Sequence, residues 1–259
     1  MFGNFGRKNP KTGPGSGRSA AAHPAFPAAN PRTAALQRAI NEREAADPLL
    51  GSKIAGKGLL ERLLVILKDE RGVHVESLAT ALGALAGHSC QVAALEGLNS
   101  GNPEYSGLSL VTVEGANGDE YFFGDAINRP LAESTYSVWG LVAGAAHQHG
   151  AELPDLSELF AHSASTVGGE NFGLPRFAPG TQAAGTPRQY LDLWDQLLPL
   201  VQESAPRPQH WPIAYGIAVQ NLFGMAAGHF DLGVLTRVVM DSAIAMSKLK
   251  ATQDQGINQ

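Results

Sequence analysis

The sequence predicts a mainly α-helical (α+β) fold, in which one helical globular domain carries a small antiparallel β-hairpin and follows a disordered N-terminal tail. Three observations lead to this fold class: helical periodicity recurs along most of the chain, one stretch alternates as a hairpin does, and the first residues are rich in Gly, Pro and Ala. With 259 residues, 44% of them hydrophobic, the chain can bury a substantial core. We therefore expect a flexible basic tail over residues 1–32 and a single α-rich domain over residues 33–259, with a candidate sub-boundary near 99–107.

The N-terminal tail differs in charge from the rest of the chain. Residues 1–40 contain six Lys and Arg and no acidic residue, whereas the remainder has 13 Lys and Arg against 24 Asp and Glu. An acidic body disfavours nucleic-acid binding, which needs clustered basic groups, and we expect no specific nucleic-acid partner. The tail is a candidate docking segment for a protein partner through Phe2 and Phe5. Its acid-poor composition also resembles that of an organellar transit peptide.

Eight segments have helical periodicity or helix-start signals. Two starts are well marked: Asp155 has Glu158 at capping-box spacing, and Thr186 is followed by Pro187 at the first helical position and by Gln189 three residues later. The predicted helices cover residues 33–46, 58–72, 73–98, 134–150, 155–169, 186–200, 212–227 and 232–249.

The segment 73–98 is the clearest of these helices. It carries a seam of large apolar residues and, beside it, a face of small residues that includes Gly83 and Gly87. A glycine inside a helix costs about 1 kcal/mol relative to alanine. We therefore predict that another backbone approaches closely at these two glycines.

The segment 108–123 predicts a hairpin, with strands at 108–114 and 120–123 and a turn at Asn117 and Gly118. An isolated hairpin is marginally stable in water. It must therefore pack on helices, gain another strand, or pair with a second copy of itself. The last alternative, together with the small-residue helix faces, leads us to expect a homo-oligomer.

The stretch GSKIAGKG, residues 51–58, differs by one residue from a phosphate-binding loop. Gly51, Gly56 and Lys57 are in register, but Gly58 stands where the loop needs the hydroxyl that binds magnesium. No buried strand precedes it, and no alternation of strands and helices follows. We interpret it as a glycine-rich hinge before the helix that carries Leu59.

The histidines and the cysteine give little support to metal or nucleophilic chemistry. A single cysteine, Cys90, excludes an internal disulfide and a four-cysteine zinc site, and it favours a reducing compartment, the cytoplasm. His88 and Cys90, two positions apart on a helix, project to different faces, so we expect a buried, inert thiol. We expect no metal site and no cofactor.

We expect the remaining apolar segments to be buried in the protein core. No apolar run reaches the roughly 20 residues of a membrane helix, so we expect no transmembrane segment. Trp139 and Trp194 fit core positions in helices, whereas Trp211, at a helix entry between His210 and Pro212, is a candidate for exposure at an interface.

Two glycine-containing loops, residues 124–131 and 168–176, hold the densest polar groups and are the candidate ligand-binding site. Ordinary hydrogen bonding within each loop is the alternative interpretation. The candidate side chains are Asp125, Asn128, Arg129, Glu170, Asn171 and Arg176.

The chain carries no motif that identifies a reaction. The functional prediction is a soluble, non-catalytic binding or assembly protein that acts as a homo-oligomer. The alternative is a small-molecule hydrolase whose site is formed by the 124–131 and 168–176 loops together with one histidine.

Overall fold

The computed structural model describes residues 31–250, and these form a helical core with two short strand pairs. The prediction of a mainly α fold with a small β element is confirmed. The predicted tail, with Phe2 and Phe5, lies outside the described residues apart from its last two positions. The helices of ten or more residues are α1 (Pro31–Asn41), α2 (Leu50–Ile66), α3 (Val75–Asn99), α5 (Val138–Gln148), α6 (Leu156–Thr166), α8 (Trp194–Ser204), α9 (Trp211–Ala226) and α10 (Leu232–Lys248).

The shorter elements connect these helices. Two of the helices have four residues each: α4 (Asp125–Asn128) and α7 (Pro187–Tyr190). The strands pair antiparallel as β1 (Lys68–Asp69) with β2 (Gly72–Val73) and as β3 (Val111–Glu114) with β4 (Glu120–Phe123). The whole stretch 187–204 is nearly continuous helix, and its start has the predicted capping box between Thr186 and Gln189.

Helix α3 is the centre of the core and packs against α9, α10 and the short helix α7. It is the one described helix long and apolar enough to cross a membrane by length and composition, and 83% of its apolar window is buried inside the structure. Its seam residues Leu78, Leu82 and Leu85 are almost fully buried. Helix α3 is thus a long, apolar helix that lies in the middle of the helical core.

The two glycines of α3 lie against the backbone of α10, as predicted. A Cβ at Gly83 would lie 3.0 Å from the carbonyl carbon of Val239, and one at Gly87 would lie 2.9 Å from Cα of Ala243, with the carbonyl oxygen closer still in each case. Gln91, one turn further along α3, donates hydrogen bonds to the carbonyls of Ser247 and Leu249. The glycines therefore allow two helices to approach more closely than side chains would permit.

The β3–β4 hairpin packs on α10 and gains an extra partner from the chain that follows this helix. Tyr121 bridges to Leu249, and the N–H of Lys250 donates to the carbonyl of Glu120 at 2.9 Å. Two of the three expected stabilising arrangements, packing on a helix and an added strand-like segment, are thus present. The opposite edge, β3, keeps Val111 and Val113 about half exposed.

The segment 51–58 is helical, so the hinge interpretation is wrong. Helix α2 begins at Leu50, and both glycines of the motif face other backbone segments: Gly51 lies at the carbonyl of Ser204 and Gly56 at that of Ala214. The Lys53 ammonium pairs with Asp47 at 2.8 Å. Here glycine provides close helix packing rather than flexibility, and a helical backbone does not form a phosphate-binding loop.

The expectation for Trp211 is also wrong. Its side chain is 5% exposed, and its indole N–H donates to the carbonyl of Ala205 at 2.8 Å. A tryptophan whose polar atom finds a backbone acceptor can be buried without cost. Trp194 and Tyr215 stack beside it in the same aromatic cluster.

Candidate functional site

A cleft of about 720 Å³ lies where four chain segments meet. Its walls come from residues 44–49 between α1 and α2, residues 102–105 after α3, residues 129–136 after α4, and residues 207–213 at the start of α9. This volume is within the range of small-molecule sites, about 300–1,000 Å³. The cleft is therefore the candidate functional site.

One wall of the cleft is a π-helical turn, Arg129–Glu133. The N–H of Ser134 donates to the carbonyl of Arg129 at 2.9 Å, which closes the wide turn. Pro130 and Leu131 are buried and anchor it. Such turns are rare and are frequently found at functional sites. Here the turn places both Arg129 and Glu133 on the cleft.

Two ion pairs join different segments of the cleft wall. Arg129 pairs with Glu104 at 3.4 Å, and Arg207 pairs with Glu44. All four side chains are at least 36% exposed. Exposed pairs of this kind contribute only about 0–1 kcal/mol to stability. Each of these four side chains can therefore leave its partner and bind a ligand group at little cost in free energy.

The cleft also contains two neutral hydrogen-bonding groups. Burial, and then the charge of Arg207, lower the pKa of His210, so its imidazole is uncharged at neutral pH. Burial raises the pKa of Tyr105 to about 12, so its phenol keeps its proton. Neither group adds charge to the site.

A second cavity of about 420 Å³ adjoins the cleft and extends along α1. The two cavities share Glu44, Pro48, Arg207 and His210 in their walls. The Glu44–Arg207 ion pair therefore belongs to both cavities.

The predicted site residues are divided between different parts of the surface. Arg129 lines the cleft, whereas Glu170 lines a separate cavity of about 380 Å³ near the hairpin turn, beside Asp119 and Arg188. Neither cavity has walls from both predicted loops. Asp125 is exposed at the start of α4, Asn128 ends that helix half-buried, and Asn171 is exposed.

Arg176 is engaged in the fold. Its Nε and Nη2 donate to the two oxygens of Asp241, a buried residue of α10, at 3.0 and 2.8 Å, and its backbone N–H donates to the same carboxylate. Its remaining nitrogen pairs with Glu158. Asp155 does cap α6 by accepting from Ser157, but Glu158 binds Arg176 instead of completing the capping box. This network fixes the 168–176 loop to α10.

The predicted burial of Cys90 is confirmed, and burial raises the pKa of its thiol. His88 lies edge-on to Trp194, with ring centroids 4.5 Å apart. Its buried Nδ1 has no hydrogen-bond partner among residues 31–250. Burial lowers the pKa of His88 to about 4, opposed only in part by the charge of Asp195 on α8. The described residues contain no group of three His, Cys, Asp or Glu placed to hold a metal ion.

His88 is expected to make the fold sensitive to acid. Its pKa is about 4 in the folded protein and about 6.5 in the unfolded chain, so protons bind preferentially to the unfolded chain below pH 6.5. The stability present above pH 6.5 should decrease by up to about 3 kcal/mol as the pH falls to about 4. His88→Phe keeps an aromatic ring against Trp194 and removes the titration. Urea unfolding at pH 7.5 and at pH 4.5 should show a smaller loss in the variant, and equal losses would contradict this account.

Sequence reasoning missed Glu44, Glu104, Glu133 and His210. They come from segments far apart along the chain, and none belongs to a recognisable motif. The one local signal is the nearby proline in each segment: Pro48, Pro103, Pro130 and Pro212 mark four helix boundaries that meet at the cleft.

Comparisons with protein-family models, with curated proteins and with solved structures gave no significant match. The geometry and chemistry of the cleft are therefore the basis for assigning a function.

Proposed function

We propose that the protein is a binding protein that holds a small polar ligand in the cleft formed by residues 44–49, 102–105, 129–136 and 207–213. The observation that carries this proposal is the pair of exposed ion pairs, Arg129 with Glu104 and Arg207 with Glu44, in the walls of one cavity. A ligand can hydrogen bond to these groups without leaving a buried charge unpaired. The π-helical turn at Arg129 supports the same site.

Binding without catalysis accounts for the lining better than hydrolysis does. A hydrolase that uses a serine or threonine nucleophile needs that hydroxyl within hydrogen-bond reach of a base. Two aliphatic hydroxyl side chains, Ser134 and Thr135, line the cleft with His210, but neither forms a hydrogen bond with the His210 ring in the described part of the chain. Glu170, the carboxylate of the hydrolase alternative, lines a different cavity. Of the six candidate side chains from the two loops, only Arg129 lines the cleft.

Filling the cleft should abolish binding. Thr135 is exposed and lines the cleft, so Thr135→Trp should place an indole in the ligand volume with little effect on stability. We would titrate a library of small amines, carboxylates, phosphates and polyols and follow the backbone amide chemical shifts. Shifts in wild type should cluster at residues 102–105 and 129–136 and vanish in Thr135→Trp.

Thr181→Trp is the matched control, because Thr181 is equally exposed on a loop outside the cleft. It should bind as wild type does. No compound shifting the cleft residues, or equal binding by Thr135→Trp, would refute the proposed function.

Self-association remains a prediction. The observation that favours it is β3, whose four residues are all exposed and whose outer edge has no strand partner among residues 31–250. Exposed edge strands are templates for pairing with another chain. The expected docking of a partner through Phe2 and Phe5 concerns positions outside the described residues.

A further inference from the structure

The side chains that line the cleft include more negative than positive groups. Three carboxylates and two guanidiniums line it: Glu44, Glu104 and Glu133 against Arg129 and Arg207. Two of the carboxylates, those of Glu44 and Glu104, are held in ion pairs with these guanidiniums. The third, on Glu133, is exposed and makes no ion pair or side-chain hydrogen bond with any residue in the range 31–250.

The other titratable groups of the cleft do not offset this negative charge. His210 is uncharged at neutral pH because burial and Arg207 disfavour its protonated form, and Tyr105 is a neutral phenol. The cleft therefore carries a formal charge of about −1, which favours a cation over an anion.

The uncharged part of the lining suits an organic cation. Tyr136 lines the cleft and is 49% exposed, so part of this aromatic residue is accessible to the carbon chain of an alkylammonium ligand. Leu49, Pro130 and Ile213 add apolar surface for a short carbon chain. A carboxylate that lacks a partner, an exposed aromatic ring and apolar walls are the groups that recognise an alkylamine.

We propose that the cleft binds a small organic amine, with its ammonium group paired to Glu133 and its carbon chain against Tyr136 and the apolar wall. This inference depends on the proposed function, since it names the ligand class of the same site. Glu133 acts as the anchor, and the two ion pairs in the cleft wall remain available for further polar groups of the ligand.

The test uses 1,4-diaminobutane as the probe, 1,4-butanediol as its neutral analogue and inorganic phosphate as an anion, each titrated into the full-length protein and followed by amide chemical shifts. The diamine should shift residues 129–136 and bind at least tenfold more tightly than the diol. Glu133→Gln should weaken diamine binding at least tenfold, and the diamine should lose more affinity than the diol. Raising the NaCl concentration should weaken the diamine alone.

Glu70→Gln is the matched control, because Glu70 is an exposed carboxylate outside the cleft, and it should bind the diamine as wild type does. Equal affinity for diamine and diol, unchanged binding by Glu133→Gln, or tighter binding of phosphate would each overturn the inference. If neutral or anionic library compounds still shift the cleft residues, the proposed function stands and only the ligand class is wrong. If no compound binds, both fall.

Discussion

Replacing Arg176 with methionine is expected to lower the free energy of unfolding by about 3–5 kcal/mol. The substitution removes two side-chain hydrogen bonds from Asp241, whose side chain is 2% exposed, and leaves a buried carboxylate whose one remaining hydrogen-bond donor within residues 31–250 is the backbone N–H at position 176. Chemical denaturation monitored by circular dichroism would measure the loss.

Two further variants distinguish the effect of the Arg176–Asp241 pair from that of the more exposed Arg176–Glu158 pair. Glu158→Gln removes the other partner of Arg176, whose side chain is 51% exposed, and should cost no more than about 1 kcal/mol. The double variant Arg176→Met with Asp241→Leu removes both charges of this pair and should recover much of the stability lost by the single change. A loss below 1 kcal/mol for Arg176→Met would show that the pair does not stabilise the loop.

Gly87→Ala is expected to destabilise the protein by about 3 kcal/mol, although alanine is the better helix former. The added methyl group would lie 2.8 Å from the carbonyl carbon of Ala243, so α3 and α10 would have to separate. Because the obstructing atoms are backbone, no side-chain rotation relieves the contact. Thermal and urea unfolding would measure the effect.

The matched controls are glycines inside helices that face open space. Apart from the backbone of its own helix, a Cβ added at Gly144 in α5 or at Gly224 in α9 would meet no atom of residues 31–250 within 4 Å. Gly144→Ala and Gly224→Ala should therefore stabilise the protein by about 0.5–1 kcal/mol each. If Gly87→Ala behaved like these controls, the close approach of α3 to α10 would not limit the side chain at this position.

The elements that sequence reasoning predicted well are those with local causes. The capping box at Thr186 requires only residues within one turn, and the hairpin turn requires Gly118, whose φ is +80°. The close approach at Gly83 and Gly87 could be predicted because two glycines in an otherwise strong helix need compensation. The partner helix, α10, could not be identified from the sequence.

At residues 51–58 the sequence led to a wrong prediction of a hinge, because a glycine-rich stretch is compatible with both a hinge and a tightly packed helix. Only the carbonyls of Ser204 and Ala214, supplied by distant segments, distinguish the two. The cleft was unpredictable for a similar reason. Glu44 and Arg207 are 163 positions apart, so only the folded chain brings them together.

The contact between α3 and α10 has a consequence for biosynthesis. Gln91 and Ser247, which join these helices, are separated by 156 positions. During translation, at about 5–20 residues per second, the small-residue face of α3 leaves the ribosome many seconds before the helix that covers it. Nascent chains stalled before α10 should therefore remain sensitive to protease within α3 and available to chaperones, and protection should arise abruptly once α10 has emerged.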